Sequence, residues 1–190
     1  MIRSLPTFSS LVANFPDKHV MPTKALLDSI GGQVRSSLGD DVNTCAIRMS
    51  VTLNDSGAPI RSTPGVHLLK GAPHVVPGTE GHAKPAMASD LFMFRVMDVK
   101  TYPVARYGAG KVIYDGRKPG EFASPIRGAT QGIIVFEWRG KYNDFGAMGH
   151  ADLFRVLLSP GSPPTLTPGC VGSCYFLSGP MIAHLWETRP

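Results

Sequence analysis

The chain has 190 residues, of which 43% are apolar and 17% charged, so it can bury a real core and is not of the disordered class. Its formal net charge is +5, which suits an anionic partner, but its basic residues are scattered singly, without the basic face of a nucleic-acid binder. No apolar run is long enough to span a bilayer, which argues against membrane insertion.

The first half of the chain is predicted to be helical. Residues 5–16 form a short helix that ends at Pro16, and residues 22–32 form a clearer one that ends at a Gly-Gly pair. A third helix is expected after Asn43, an N-cap residue type, with Cys45 in its first turn. Its apolar residues recur at helical spacing, so we expect this helix to be central and buried.

A long loop and a fourth helix are expected next. Residues 57–88 are rich in Pro and Gly and have no periodicity, which is typical of a substrate-facing or lid segment. Residues 88–108 have helical apolar spacing with Ser89 or Asp90 as cap, and Pro103 is expected at a kink or break.

The second half is predicted to form strands. Residues 131–138 are rich in β-branched and aromatic side chains, and a turn is expected at 141–146. Further strands are expected at 147–158, 174–177 and 181–187, with a Pro-rich insert at 159–169. Helices followed by antiparallel strands predict an α+β fold, with residues 1–190 as a single domain.

Cysteine usage separates one thiol from the other two. Cys170 and Cys174 lie four residues apart, and no second Cys/His pair lies nearby, which argues against a zinc site. The pair is compatible with a short disulfide in an oxidising compartment. Cys45 is the odd thiol. Cys45 is either a buried core residue or a nucleophile whose thiolate is favoured by the N–H groups of a helix N-terminus. In the second case these N–H groups, including that of Cys45 itself, would also hold an oxyanion.

His150 is the best candidate for a general base. It follows Gly149 in a predicted strand, about 100 residues after Cys45, and a cysteine at a helix start with a histidine on a sheet is the papain-like layout. A lone strand histidine is more commonly a core residue. The remaining histidines lie at irregular spacing, which argues against a metal cluster: His19, His67, His74, His82 and His184.

Several segments resemble one family. NTCAIRMSVTLNDSGAPI, residues 43–60, resembles the nucleophile segment of the type VI secretion amidase effectors, specifically the fourth Tae group. QGIIVF and NDFGAMGHADLF resemble its histidine segment. The similarity extends over nearly the whole chain, through FSSLVANFP, ALLDSIGGQV, FMFRVMDVKTYPVARYG and GCVGSCYFLSGPMIAHLWE.

The resemblance implies a peptidoglycan amidase with an NlpC/P60-like, papain-related fold, in which N-terminal helices pack on an antiparallel sheet. It implies cleavage of the γ-D-glutamyl–meso-diaminopimelate bond of stem peptides, with Cys45 as nucleophile, His150 as general base and Cys170–Cys174 as a disulfide. No metal or cofactor is implied. Segment 1–19 lacks the apolar core and cleavage site of a Sec signal, so delivery to the periplasm of a target bacterium by a secretion machine is expected, with a cognate immunity protein as partner.

The sequence departs from the family pattern at the third catalytic group. The family's acid falls between the paired cysteines, where this chain has Val171, Gly172 and Ser173. Asp152 is the nearest carboxylate to His150, but residues i and i+2 of a strand are about 6.6–6.8 Å apart, which is long for direct orientation of the ring. Asp152, Ser173 or a backbone carbonyl is expected to orient His150, and a structural Asp152 is an equal alternative.

Two other departures and two other functions are left open. Phe154 replaces the family's Trp, and the 159–169 insert is longer than the family's turn, so together with the 57–88 loop it is expected to shape the groove and the substrate range. The missing acid motivates a non-catalytic or decayed wall-binding toxin module. Cys-His sites also catalyse transpeptidation and deamidation, which the motif does not distinguish from hydrolysis.

Overall fold

A computed structural model describes residues 4–72, 90–115, 131–138, 149–157, 167–170 and 181–188. The helices are α1 (Phe8–Ala13), α2 (Thr23–Ile30), α3 (Gly32–Ser37), α4 (Cys45–Asp55) and α5 (Val96–Tyr107). The strands are β1 (Leu68–Lys70), β2 (Leu91–Met93), β3 (Lys111–Asp115), β4 (Gln131–Trp138), β5 (Gly149–Leu157), β6 (Thr167–Cys170) and β7 (Met181–Glu187). The predicted α+β class with antiparallel pairing is confirmed.

Five strands form the main sheet in the order β3-β7-β4-β5-β6, and each neighbouring pair is antiparallel. β4 lies at its centre, between β7 and β5. Phe136 of β4 faces His150 of β5 on one side and Ala183 of β7 on the other. β1 and β2 form a separate two-stranded antiparallel sheet.

Helix α4 is the centre of the core. Every residue from 45 to 53 is buried, as expected of a helix that contacts other elements on all sides. One side of α4 belongs to a core cluster with α1, α5 and strands β4, β5 and β7, and the other side belongs to a cluster with α2, α3 and β2. The prediction of a central, largely buried helix is therefore confirmed.

The predicted helix over 88–108 is wrong in its first part. Residues 91–93 form β2, which pairs with β1 and is bonded to α4: the N–H of Met93 donates to Ser50 Oγ at 2.9 Å, and Asn54 Nδ2 donates to the carbonyl of Leu91 at 3.2 Å. These long-range contacts outweigh local helical spacing. The helix begins at Val96 and continues past Pro103, where a kink or break was expected.

The predicted loop and insert contain residues of two strands. The predicted loop 57–88 contains β1, and the last residues of the 159–169 insert belong to β6. The turn at 141–146 and the strand at 174–177 lie outside the described residues. Within the described ranges, no helix has the length and apolar character needed to cross a membrane.

Candidate active site

Cys45 is the first residue of α4 and is 5% exposed. The cap position belongs to Thr44, so the prediction that Asn43 is the N-cap is wrong by one residue. Asn43 still acts at the helix start, because its side-chain oxygen accepts the N–H of Cys45 at 3.0 Å and satisfies a donor that the helix leaves open. The N–H of Cys45 therefore already has an acceptor and is not free to hold an oxyanion in this structure.

His150 lies at the start of β5, behind a glycine that no larger residue can replace without movement. A Cβ on Gly149 would lie 2.4 Å from the carbonyl oxygen of Phe136 and 2.8 Å from Val96 Cγ1. The close approach of β5 to β4 and α5 at this point thus depends on Gly149. The imidazole is stacked with the Phe136 ring, with centroids 6.3 Å apart.

Asp152 reaches the imidazole of His150. Its Oδ2 lies 3.4 Å from Nε2 of the ring, and its Oδ1 accepts the N–H of Leu153 at 2.7 Å. The carboxylate is buried, with 1% of the side chain exposed. The i, i+2 spacing is long for direct orientation of the ring, but side chains of a strand lean along it, so the two side chains together span the distance between the two Cα atoms.

Electrostatics link His150 to both of its acidic neighbours. Burial by itself lowers the pKa of His150, but side-chain hydrogen bonds with Asp152 and Cys45, and the charges of the same two groups, raise that pKa to about 9. By strand alternation, His150 and Asp152 lie on the side of β5 opposite to Ala151. The hydrogen bond and the charge interaction with Cys45 place the thiol beside the ring.

The structure brings three predicted residues together: Cys45, His150 and Asp152. Ser173 and Cys174 lie outside the described residues, and only the backbone of Cys170 is described, in β6 opposite Phe154. Two other histidines have carboxylate partners elsewhere: His67 with Asp98 at 3.3 Å, and His184 with Glu137 at 3.2 Å. In the part of the chain that the structure describes, no group of three or more His, Cys, Asp or Glu side chains could hold a metal ion.

Sequence reasoning missed one polar neighbour of Cys45, namely Arg48, which is buried one helical turn after the cysteine. A charged residue among the apolar residues of a helix that is expected to be buried is the signal that would have found Arg48, because such residues are rarely buried unless they are bonded.

A family model described as "Type VI secretion system (T6SS), amidase effector protein 4", or Tae4, matches residues 42–160, more than half of the chain. The matched region contains all three residues of the cluster. The chain belongs to the Tae4 family. The predicted family resemblance is confirmed, and with it membership of a family of type VI secretion amidase effectors.

Solved Tae4 structures share the fold over the whole chain. The type VI effector Tae4 from Enterobacter cloacae is 24% identical, with a TM-score of 0.67 and 100% of both chains covered. Tae4 in the Tae4–Tai4 effector–immunity complex from Enterobacter cloacae is 23% identical, with a TM-score of 0.65 and coverage of 97% of this chain and 99% of the other. The matching chain of the Tae4/Tai4 effector–immunity system from Salmonella typhimurium is 25% identical, with a TM-score of 0.62 and coverage of 97% of this chain and 99% of the other. No curated protein matches the chain.

Proposed function

We propose that the protein is a peptidoglycan amidase that cleaves the γ-D-glutamyl–meso-diaminopimelate bond of wall stem peptides by Cys-His acyl transfer. The observation that carries the proposal is the cluster of Cys45, His150 and Asp152 within the segment that matches an amidase effector family. A buried cysteine at a helix start beside a strand histidine also supports an NlpC/P60-like, papain-related architecture.

The first half of the reaction forms a thioester. With Asp152 at Nε2 of His150, the other ring nitrogen, Nδ1, is left for the thiol of Cys45. The imidazole takes the thiol proton, the thiolate attacks the γ-carbonyl of D-glutamate, and the bond to the diaminopimelate nitrogen breaks as His150 protonates the leaving amine. The raised pKa of His150 suits this step, because the imidazolium keeps the proton taken from the thiol until it protonates the leaving amine.

The second half releases the acyl group. Neutral His150 takes a proton from water, the water oxygen attacks the thioester, and the Cys45 thiolate leaves with the γ-carboxylate of D-glutamate as product. In a transpeptidase an amine would replace this water, and in a deamidase ammonia would be the leaving group. The family description as amidase supports hydrolysis.

Asp152 is the proposed orienting acid. A carboxylate that accepts a hydrogen bond from one ring nitrogen fixes the tautomer and stabilises the imidazolium. Its 3.4 Å approach to Nε2 favours it over Ser173. The same contact supports catalysis over the non-catalytic wall-binding alternative, whose motive was a missing acid.

The family supports a proposal for delivery of the protein and for protection of the producing cell. We propose type VI secretion into the periplasm of a target bacterium, where the net charge of +5 would favour encounter with an anionic wall. The Enterobacter and Salmonella relatives form complexes with the immunity protein Tai4, so we propose an immunity protein of that kind for this chain. The Cys170–Cys174 disulfide and the shaping of the groove by residues 57–88 and 159–169 stay predictions.

Digestion of Gram-negative sacculi tests the proposal. Wild-type protein is expected to release muropeptides that end at D-glutamate, with a new free amine on diaminopimelate, when the products are analysed by mass spectrometry. Cys45→Ala, verified as folded by its melting temperature, is expected to release none. An identical product profile for the two proteins, or cleavage at another bond, would refute the proposed activity.

A further inference from the structure

Arg48 is a buried cation beside the candidate nucleophile. It lies three residues after Cys45 in α4, so the two share a helix face, and only 5% of Arg48 is exposed. Its guanidinium donates three hydrogen bonds: from Nη1 to the carbonyl of Pro16 at 2.5 Å, from Nη2 to the carbonyl of Met21 at 2.9 Å, and from Nε to Thr44 Oγ1 at 3.1 Å.

None of these acceptors is a carboxylate. A buried charge bonded to neutral acceptors is a poor source of stability, because an apolar side chain of similar volume commonly does as well or better. Burial lowers the pKa of Arg48, and the charges of Asp17 and Cys45 oppose that effect. The hydrogen bonds of the buried cation therefore point to a role in the arrangement of its surroundings.

The three acceptors belong to two segments that meet at the start of α4. Pro16 and Met21 lie in the connection between α1 and α2, and Thr44 is the cap residue directly before Cys45. A guanidinium is a planar fork with donors in fixed directions, so it holds all three acceptors at once, whereas the single ammonium of lysine has no such geometry. Any movement of Thr44 is passed to the next residue, Cys45.

We propose that Arg48 is a positioning residue whose fork of hydrogen bonds ties Thr44 to the Pro16–Met21 segment and so holds Cys45 against His150. This rests on the proposed function, in which that contact starts the reaction. The charged groups around the contact are Arg48 and, through it, Asp17 on the α4 side, with His150 and Asp152 on the β5 side.

The test compares Arg48→Lys, which keeps the charge, and Arg48→Gln, which keeps some donors, with Arg61→Gln, which removes an exposed positive charge. The readouts are the NMR titration of the His150 ring, the rate of Cys45 alkylation by iodoacetamide, and kcat and KM on muropeptides. In both Arg48 variants the pKa of His150 is expected to fall from about 9 by about one unit, because its bond to Cys45 is lost. In the same two Arg48 variants, the rate of Cys45 alkylation and kcat are expected to fall about tenfold, and KM is expected to stay unchanged. The Arg61→Gln control is expected to match wild type in all of these measurements.

A melting temperature that drops while the His150 titration, alkylation rate and kcat stay at wild-type values would overturn the inference, because Arg48 would then only stabilise the fold. If neither Arg48 variant folds, Thr44→Val removes only the Oγ1 acceptor and is expected to shift the same readouts in the same direction. A wild-type titration in that variant would equally overturn it. The His150 titration can be measured whether or not the protein cleaves cell wall. If the wild-type protein cleaves nothing but the Arg48 variants shift the titration, the proposed function is refuted and the positioning role of Arg48 is supported.

Discussion

At the scale of single residues, His150 is the centre of the proposed site because it interacts with both Cys45 and Asp152. The positions of Cys45 at a helix start and of His150 in a strand could be predicted from the sequence, since helix-start and strand signals mark both elements. The contact between Asp152 and the ring was left open, because the distance between Cα atoms does not show how two side chains lean toward each other. The hydrogen bonds of buried Arg48 were missed because two of its three acceptors are 27 and 32 residues away in the sequence.

Asp152→Asn tests the contact with the ring. The amide carries no charge to stabilise the imidazolium, so we expect the pKa of His150 to fall and kcat to drop by roughly tenfold to a hundredfold. Asp98→Asn is the matched control, because Asp98 is also 1% exposed and contacts His67 rather than His150. Equal kcat values for the two variants in a muropeptide assay would count against an orienting Asp152.

Asn43→Ala tests the hydrogen bond to the first N–H of α4. Loss of this acceptor is expected to lower the free energy of unfolding by about 1 kcal/mol, measured by urea denaturation, and to lower activity through displacement of Cys45. Asn43→Asp keeps an acceptor near the helix N-terminus and should retain wild-type stability. If both variants were equally destabilised, the side-chain oxygen would not be the stabilising group.

At the scale of elements, prediction succeeded where local pattern and burial agree. Residues 131–138 and 181–187 form β4 and β7 with the predicted bounds, and α4 is central as its apolar spacing indicates. β1 and β2 were missed, because three-residue strands have too little pattern to be seen and exist by pairing with each other. The start of the 88–108 helix was wrong for that reason.

Gly149→Ala tests the approach of β5 to β4 and α5. The added methyl would meet the carbonyl of Phe136 at 2.4 Å, so a strand must shift and move His150 with it. We expect a loss of stability of about 1–3 kcal/mol and a lower kcat. Gly39→Ala is the matched control, because nothing lies within 4 Å of a Cβ there, and it should leave the melting temperature and kcat unchanged. A fully active Gly149→Ala variant would contradict the tight packing.

At the scale of the whole molecule, the order of helices and strands was enough to predict an α+β fold. Sheet order was beyond reach, since β7, the last described strand, inserts between β3 and β4, and no local pattern encodes such long-range pairing. The same limit applies to the site, which joins the start of α4 to the start of β5 across about 100 residues of chain.

The stability of the folded protein is expected to depend on the protonation of His150. Its pKa is about 9 when folded and about 6.5 when unfolded, so below pH 6.5 both states hold the proton and the stabilisation is fully present. Between these values only the folded state holds it, so the free energy of unfolding falls as pH rises toward 9. Urea denaturation should show this slope in wild type and in the exposed-site control His19→Asn, and a reduced slope in His150→Asn. An unchanged slope in His150→Asn would assign the effect to other groups.

In the proposed mechanism, Cys45 forms a thioester with the glutamyl side of the stem peptide. Acid quenching of the protein during turnover of a purified muropeptide, followed by peptide mass mapping, tests this most directly. We predict an adduct of the glutamyl fragment on the peptide that contains Cys45, and no adduct and no cleavage with Cys45→Ala. An adduct on a different residue, or cleavage by Cys45→Ala at the wild-type rate, would contradict the claim.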